Sequence, residues 1–284
     1  MAKSLIAKIA ESILKFNKPK YMDSEKKVNE FLAKNTKSRK HVRSLFKSRD
    51  FNGMQVFHYG NKNSKNTILF IHGGAYVNEI NIQHHLFCYL LSKKTDSFIV
   101  APVYPLTPNH NALETFDLIT ELYRNLDKKR TNITLMGDSA GGGFVLSFAQ
   151  YLKTINLSQP ERIITFSPWV DVSMSSSPYD NENDVILGEI GLREIGKRWA
   201  GNLDSKDYKI SPLFGDVKGL AKTLIFAGTG EIFYKDIKRF VEKLKNDGVD
   251  VKLVTGEEMF HIYPLFPIPE ARKAFKEIKK EMEN

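Results

Sequence analysis

Gly137-Asp138-Ser139-Ala140-Gly141 sets a serine in a G-x-S-x-G pentapeptide. It lies between an apolar run at 132–136 (NITLM) and a helix-like segment at 143–152. The letters alone recur by chance, and a plain glycine-rich turn would also carry them. The strand–turn–helix context gives them chemical meaning. A serine on so tight a turn has a strained backbone, and its hydroxyl is lifted clear of the sheet toward a substrate. Its neighbours must be small, because strand and helix pass within contact distance of the turn. The N–H of Ala140 opens the helix and points into the same space.

A serine hydroxyl becomes a nucleophile only beside a base, and the base needs an orienting acid. After such an elbow the acid comes first along the chain and the histidine second. There are seven histidines, and only His261 follows Ser139. It lies in a loop, 257–264 (EEMFHIYP), beyond the last apolar run. The acid belongs just past the preceding run, 223–227 (TLIFA), where Gly228-Thr229-Gly230-Glu231 supplies Glu231. Asp236 is the alternative, but its position falls inside the next helix, which it could cap or brace.

His72-Gly73-Gly74-Ala75 follows the run at 67–71. Glycines let the backbone come close and present bare N–H groups. Gly73 and Gly74 are therefore the expected partners of Ala140 in holding an oxyanion. His72 precedes the serine in a fixed loop and is expected to brace that loop.

No metal is expected. His84 and His85 are adjacent and diverge on any regular element, and no H-E-x-x-H is present. Neither nucleotide-binding glycine motif occurs, so no bound nucleotide is expected. The single cysteine, Cys88, rules out an intrachain disulfide. The charge is +9, from 42 Lys+Arg against 33 Asp+Glu. The basic residues are spread along the chain, with mild clusters at 37–43 and 127–130 and no nucleic-acid motif beside them. A solvated lysine-rich surface is the expectation, with no nucleic-acid partner. No apolar run is long enough to span a bilayer. Lysines interrupt the apolar residues of 1–16, which is unlike a secretory signal, and the location read from this is cytoplasmic.

These groups need a scaffold. From Met54 onward short apolar runs alternate with amphipathic stretches. The runs are 67–72, 98–103, 132–136, 163–166, 223–227 and 249–254; helical spacing occupies 111–126, 143–152, 234–245 and 270–281. Runs that are nearly all apolar rather than alternating are strands covered on both faces. Strand–helix alternation predicts an α/β protein with a mostly parallel, doubly wound sheet. Residues 1–50 are polar and helical in pattern. The stretch from 168 to about 211 breaks the rhythm, with an amphipathic segment at 189–199, as a pocket wall or lid would.

Taken in order, several blocks resemble one family. They are His72 to Ala75, Tyr104-Pro105-Leu106-Thr107-Pro108, Gly137 to Gly142, Ser167-Pro168-Trp169-Val170-Asp171, Ser211-Pro212-Leu213-Phe214, the segment 228–236 and the His261 loop. Together they are similar to the hormone-sensitive-lipase-like branch of the α/β-hydrolases, which includes bacterial carboxylesterases. The likeness runs from about residue 45 to the end. It implies an α/β-hydrolase core over 51–284, with a helical lid built from 1–50 and an insertion at about 172–210. It further implies hydrolysis of small-molecule esters of short to medium chain, without a cofactor. Ser139 would be the nucleophile, His261 the base, Glu231 the acid, and Gly73, Gly74 and Ala140 the oxyanion donors. Three departures stand out. Ala75 replaces a third glycine, Pro105 and Asn109 replace an arginine and a glutamate, and Glu231 stands where aspartate is commoner. Other readings stay open: an amidase or peptidase of the same fold, or a small-molecule receptor, although such receptors lack the histidine. Tyr76, Tyr104, Trp169, Trp199, Phe214 and Tyr263 are candidates for a pocket wall, though such aromatics are more often core. The segment 1–20 reads either as part of the lid over the site mouth or as a basic amphipathic helix on a membrane surface, without stable insertion. Homodimers are common among similar proteins, and that state stays open too.

Overall fold

A computed structural model describes residues 3–34, 45–128, 130, 132–179 and 184–283, with the backbone alone at Asp127. The basic cluster at 37–43 lies outside them. Two helices come first, α1 (Leu5–Phe16) and α2 (Glu25–Lys34). A hairpin follows, β1 (Ser48–Phe51) and β2 (Met54–Tyr59), so the sheet begins at Ser48. The alternating part then runs β3 (Asn66–Ile71), α3 (Ile82–Lys94), β4 (Ser97–Pro102), α4 (Ala112–Asp127), β5 (Asn132–Asp138), α5 (Ser139–Thr154) and β6 (Arg162–Phe166). It closes with α6 (Glu189–Ala200), β7 (Lys222–Gly228), α7 (Tyr234–Asn246), β8 (Val251–Gly256) and α8 (Pro269–Glu283).

The sheet order is β1-β2-β4-β3-β5-β6-β7-β8. The strands from β3 onward pair in parallel, while β1, β2 and β4 pair antiparallel. The α/β reading from the apolar runs holds. The hairpin had its own signal, since Asn52 and Gly53 take φ of 51° and 82°, both positive as a type I′ turn requires. The helix predicted from Gly143 starts instead at Ser139, because the serine is itself the first helical residue.

Chain direction across the sheet reverses between β3 and β5: β4 lies on one side of β3 and β5 on the other. Connections leave such a switch point in opposite directions, and a crevice opens at the carboxyl ends of the strands. His72 follows β3, Ser139 follows β5, Glu231 follows β7 and His261 follows β8, so all four lie along this edge.

Both faces of the sheet are covered. One core holds Leu69, Ile71, Leu135, Ile163 and Ile225 under α4, α5 and α7. The other holds Phe70, Met136, Ile164 and Phe226 under α3 and α8. The stretch ahead of the sheet and the insertion meet in the first core: Val28 and Leu32 of α2 join Leu192 and Ile195 of α6. A Cβ on Gly191 would lie 2.6 Å from the Cβ of Met22, so the two segments touch backbone to side chain. Helix α1 packs elsewhere. Its Ala7 enters a cluster with Met259, Phe260 and Tyr263, on the loop that carries His261.

Candidate functional site

Ser139 follows β5 directly and begins α5, with φ of +53°. A left-handed conformation costs a non-glycine residue about 1–2 kcal/mol and persists where surroundings over-determine it. Here the surroundings are tight. A Cβ on Gly141 would lie 2.1 Å from the carbonyl oxygen of Ile71, so only glycine lets α5 cross β3 this closely. The Ser139 carbonyl accepts from the N–H of Trp169, at 2.9 Å.

The Ser139 hydroxyl donates to His261 Nε2, at 2.8 Å. His261 Nδ1 in turn donates to Glu231 Oε2, at 2.9 Å. All three side chains are buried. The sequence-derived serine, histidine and acid therefore meet although 122 and 30 residues separate the bonded pairs. Burial pulls the His261 pKa down, but the hydrogen bond and charge of Glu231 outweigh it and hold the imidazole above its usual value. The same burial pushes the Glu231 carboxyl up.

Ile262, next to the histidine, also sits at positive φ (52°), which is rare for a β-branched residue. Its N–H donates to the Ser167 hydroxyl, at 2.9 Å, which pins the loop to the end of β6. Phe233 lies edge-on to the imidazole, with ring centres 5.3 Å apart. Asp184 braces the other side. It accepts from the N–H of Ile232, beside Glu231, at 2.9 Å, and from those of Ile186 and Leu187. The sequence quoted Ser167 only within a block and without a role, and did not single out Asp184, because their partners lie 95 and 48 residues away.

Asp236, the alternative acid, does not face His261. Its carboxylate accepts from Tyr179, at 2.7 Å, from Arg239, at 3.0 Å, and from Ser176. It braces α7 against the insertion, the second use the sequence left open for it.

The glycine block requires a correction. The N–H of Gly73 donates to Asp138 Oδ1, at 2.9 Å, so it is not free to meet a substrate oxygen. Among the described residues, the N–H groups of Gly74 and Ala75 donate to no protein acceptor. Ala140 lies in the first turn of α5, ahead of any intrahelical bond from its N–H. The free donors are thus those of Gly74, Ala75 and Ala140. The residue substituted in the glycine block is the one the sequence reading passed over, and at φ of 53° it holds the left-handed backbone that a glycine would adopt at no steric cost.

Asp138 was quoted in the pentapeptide without a role. It ties the glycine loop to the elbow. His84 Nδ1 accepts from the N–H of Asn81, leaving Nε2 to donate to the second Asp138 oxygen, at 3.3 Å. Burial pushes the Asp138 carboxyl up, and the pull of His84 and then the Gly73 N–H more than offset it, holding it below the usual range. His72 keeps to its loop, with Nδ1 bonded to the Gly73 carbonyl at 2.7 Å and its pKa brought down to about 3 by burial. A Cβ on Gly73 would lie 2.2 Å from Asp138 Oδ2. Gly73→Ala must therefore break this tie. The expected outcome is a loss of about 1–3 kcal/mol in a urea titration, from overpacking. A fall in turnover of at least about tenfold should accompany it as the free donors lose alignment.

The aromatic candidates divide. Tyr76 stacks on Trp199 with ring centres 3.9 Å apart, and Trp169 stacks on Phe233 at 5.6 Å. The Tyr76 hydroxyl donates to the Ala140 carbonyl and that of Tyr104 to the His72 carbonyl, each at 2.8 Å. These rings form a wall behind the elbow. Phe214 is part-exposed beneath Lys206.

A family model described as alpha/beta hydrolase fold matches residues 68–265. An esterase of Acinetobacter venetianus is 32% identical over 221 residues, covering 74% of this chain and 72% of that protein. An acetyl-hydrolase of Streptomyces hygroscopicus is 25% identical over 217 residues, covering 74% of this chain and 73% of its own length. A candidate esterase of Staphylococcus aureus, solved by crystallography, superposes with a TM-score of 0.85 at 27% identity, over 92% of this chain and 94% of that one. With the switch-point crevice, the serine elbow and these matches in agreement, the chain belongs to the α/β-hydrolase fold family.

Proposed function

We propose that this α/β-hydrolase is a carboxylesterase that cleaves short- to medium-chain esters through an acyl-enzyme on Ser139. One observation carries the reading: the continuous hydrogen-bonded line from Ser139 through His261 to Glu231, with three free N–H groups beside the serine. The esterase and acetyl-hydrolase relatives support the class of substrate.

The steps follow from the donors and acceptors present. The ester carbonyl oxygen lies against the N–H groups of Gly74, Ala75 and Ala140. Ser139 Oγ attacks the carbonyl carbon while its proton passes to His261 Nε2. Negative charge gathers on the carbonyl oxygen, where fixed donors stabilise it without reorganising. The imidazolium is held by Glu231, so charge separation takes place in a buried site that already favours it. The C–O bond to the alcohol then breaks, and the alcohol leaves with the proton from Nε2. Water enters, gives a proton to His261 and attacks the acyl carbon, releasing the acid and restoring the serine. Helix α2 and the insertion with α6, which meet in the first core, serve in this reading as the lid.

Hydrolysis of p-nitrophenyl esters from acetate to laurate, by the natural protein beside Ser139→Ala, tests it. The natural protein should be active, with an optimum between acetate and octanoate, and the variant inactive. A folded natural protein inert on the whole series, or an active variant, would overturn the reading.

A further inference from the structure

Helix α1 carries apolar side chains on two faces. Ala7 is buried against the His261 loop, with Ala10 and Leu14 partly covered beside it. On the other face Leu5, Ile6, Ile9, Ile13 and Phe16 point into solvent, with Leu5 73% and Phe16 89% exposed. At about 100° per residue these five fall within an arc of about 100°. Apolar residues gathered this densely in water mark a docking surface.

The charges show what the surface fits. Lys8 and Lys15 lie along one margin of the stripe, both exposed and without an acidic partner among the described residues. The one acid of the helix, Glu11, is bonded to Lys3, at 2.6 Å. Exposed Lys20 follows the helix. An apolar stripe edged by unpaired cations matches a bilayer interface with anionic lipid. The stripe enters the headgroup–acyl boundary, and lysine stems reach up to the phosphates. Two α1 helices paired about a twofold axis would instead set lysine near lysine, with Glu11 already used.

We propose that α1 docks the protein on an anionic phospholipid bilayer, with the stripe of Leu5, Ile6, Ile9, Ile13 and Phe16 immersed and Lys8 and Lys15 on the phosphates. The helix lies along the surface. At about 18 Å it is far shorter than the roughly 30 Å hydrocarbon core, and no described helix is long and apolar enough to cross a membrane. Its start is fastened to α8, where the backbone N–H and hydroxyl of Ser4 donate to Glu270, at 2.7 and 3.0 Å, and its inner face packs on the His261 loop through Ala7. Docking thus brings the His261 loop to the bilayer. That consequence rests on the esterase reading, whereas the docking does not.

Co-sedimentation tests it. The full chain is mixed with phosphatidylcholine vesicles, with and without about 30 mol% phosphatidylglycerol. The natural protein should pellet with the anionic vesicles, pellet far less with the neutral ones, and be released by about 0.5 M NaCl. Ile9→Ser/Ile13→Ser/Phe16→Ser should lower partitioning at least about tenfold. Lys8→Glu/Lys15→Glu should abolish the preference for phosphatidylglycerol. All these side chains are exposed, so both variants should keep the melting temperature and p-nitrophenyl acetate hydrolysis of the natural protein. The proposal fails if the natural protein stays in the supernatant with anionic vesicles, or if the triple variant binds as well as it does. It also fails if the natural protein forms a dimer that the triple variant loses while neither binds vesicles, since a second copy then covers the stripe.

Discussion

Ser139→Ala should lower turnover on p-nitrophenyl acetate by about 10⁴–10⁶-fold, and adding His261→Ala should cost almost nothing more. The reason is the shared proton. The hydroxyl of Ser139 donates to His261 Nε2 at 2.8 Å, and each group is useful only through the other. With either removed, what is left is the positioning of substrate against free N–H groups, which supplies about 10³–10⁴-fold over water. The single and double variants should therefore fall to a common floor. Multiplicative losses, measured in one assay series on folded protein, would mean that the two side chains act separately. Among the described residues the Ser139 side chain makes no other hydrogen bond, and Ser139→Ala keeps the same backbone strain. The variant should thus melt close to the natural protein, which separates lost chemistry from lost fold.

Glu231→Gln should lower kcat/KM by about 10³–10⁴-fold and move the acid limb of the pH profile downward. The sign follows from the state His261 must be in. It accepts the serine proton only when neutral, so activity rises with pH as the imidazolium loses its proton. Glu231 raises the imidazole pKa against the pull of burial. In the natural protein the midpoint of the rise should therefore lie above the usual histidine value of about 6.5. Without the carboxylate, burial is opposed only by the weaker pull of Asp184 and Asp138, and the midpoint should fall. Asp236→Asn is the control. Its carboxylate serves Tyr179, Arg239 and Ser176 and does not touch His261. That variant should lose about 1–3 kcal/mol of stability through weakened buried hydrogen bonds, yet keep the natural pH midpoint. A shifted midpoint in Asp236→Asn, or an unshifted one in Glu231→Gln, would reverse the assignment of the acid.

Both experiments bear on an arrangement partly readable from the chain. The elbow is a local object: strand, serine, small neighbours and helix are consecutive, so 132–152 contains what is needed to recognise it. The parallel sheet was readable for a similar reason. Runs such as TILFI and TLIFA are apolar at every position after the leading threonine rather than alternating, as a strand covered on both faces is. His261 came from order alone, as the sole histidine beyond the serine. Glu231 came from its place just past β7. The β1–β2 hairpin was missed, although Asn52-Gly53 announced its turn.

What the chain could not show by itself depends on contacts between distant residues. Which backbone N–H groups are free is one such matter. Gly73 and Gly74 are alike in sequence, but the Asp138 carboxylate, 65 residues from Gly73, takes the N–H of the first. The free pair of the block thereby becomes Gly74 and Ala75. The brace of Asp184 on Ile232 and the anchor of Ser167 on Ile262 are of the same kind. So is the orientation of α1. Its sequence shows more apolar residues than one narrow contact can cover, but only tertiary packing decides that Ala7 faces the His261 loop and Phe16 faces solvent. Periodicity along a chain records which residues share a face. Which face is buried, and which polar atom is already spent, is settled by whatever the fold brings against it.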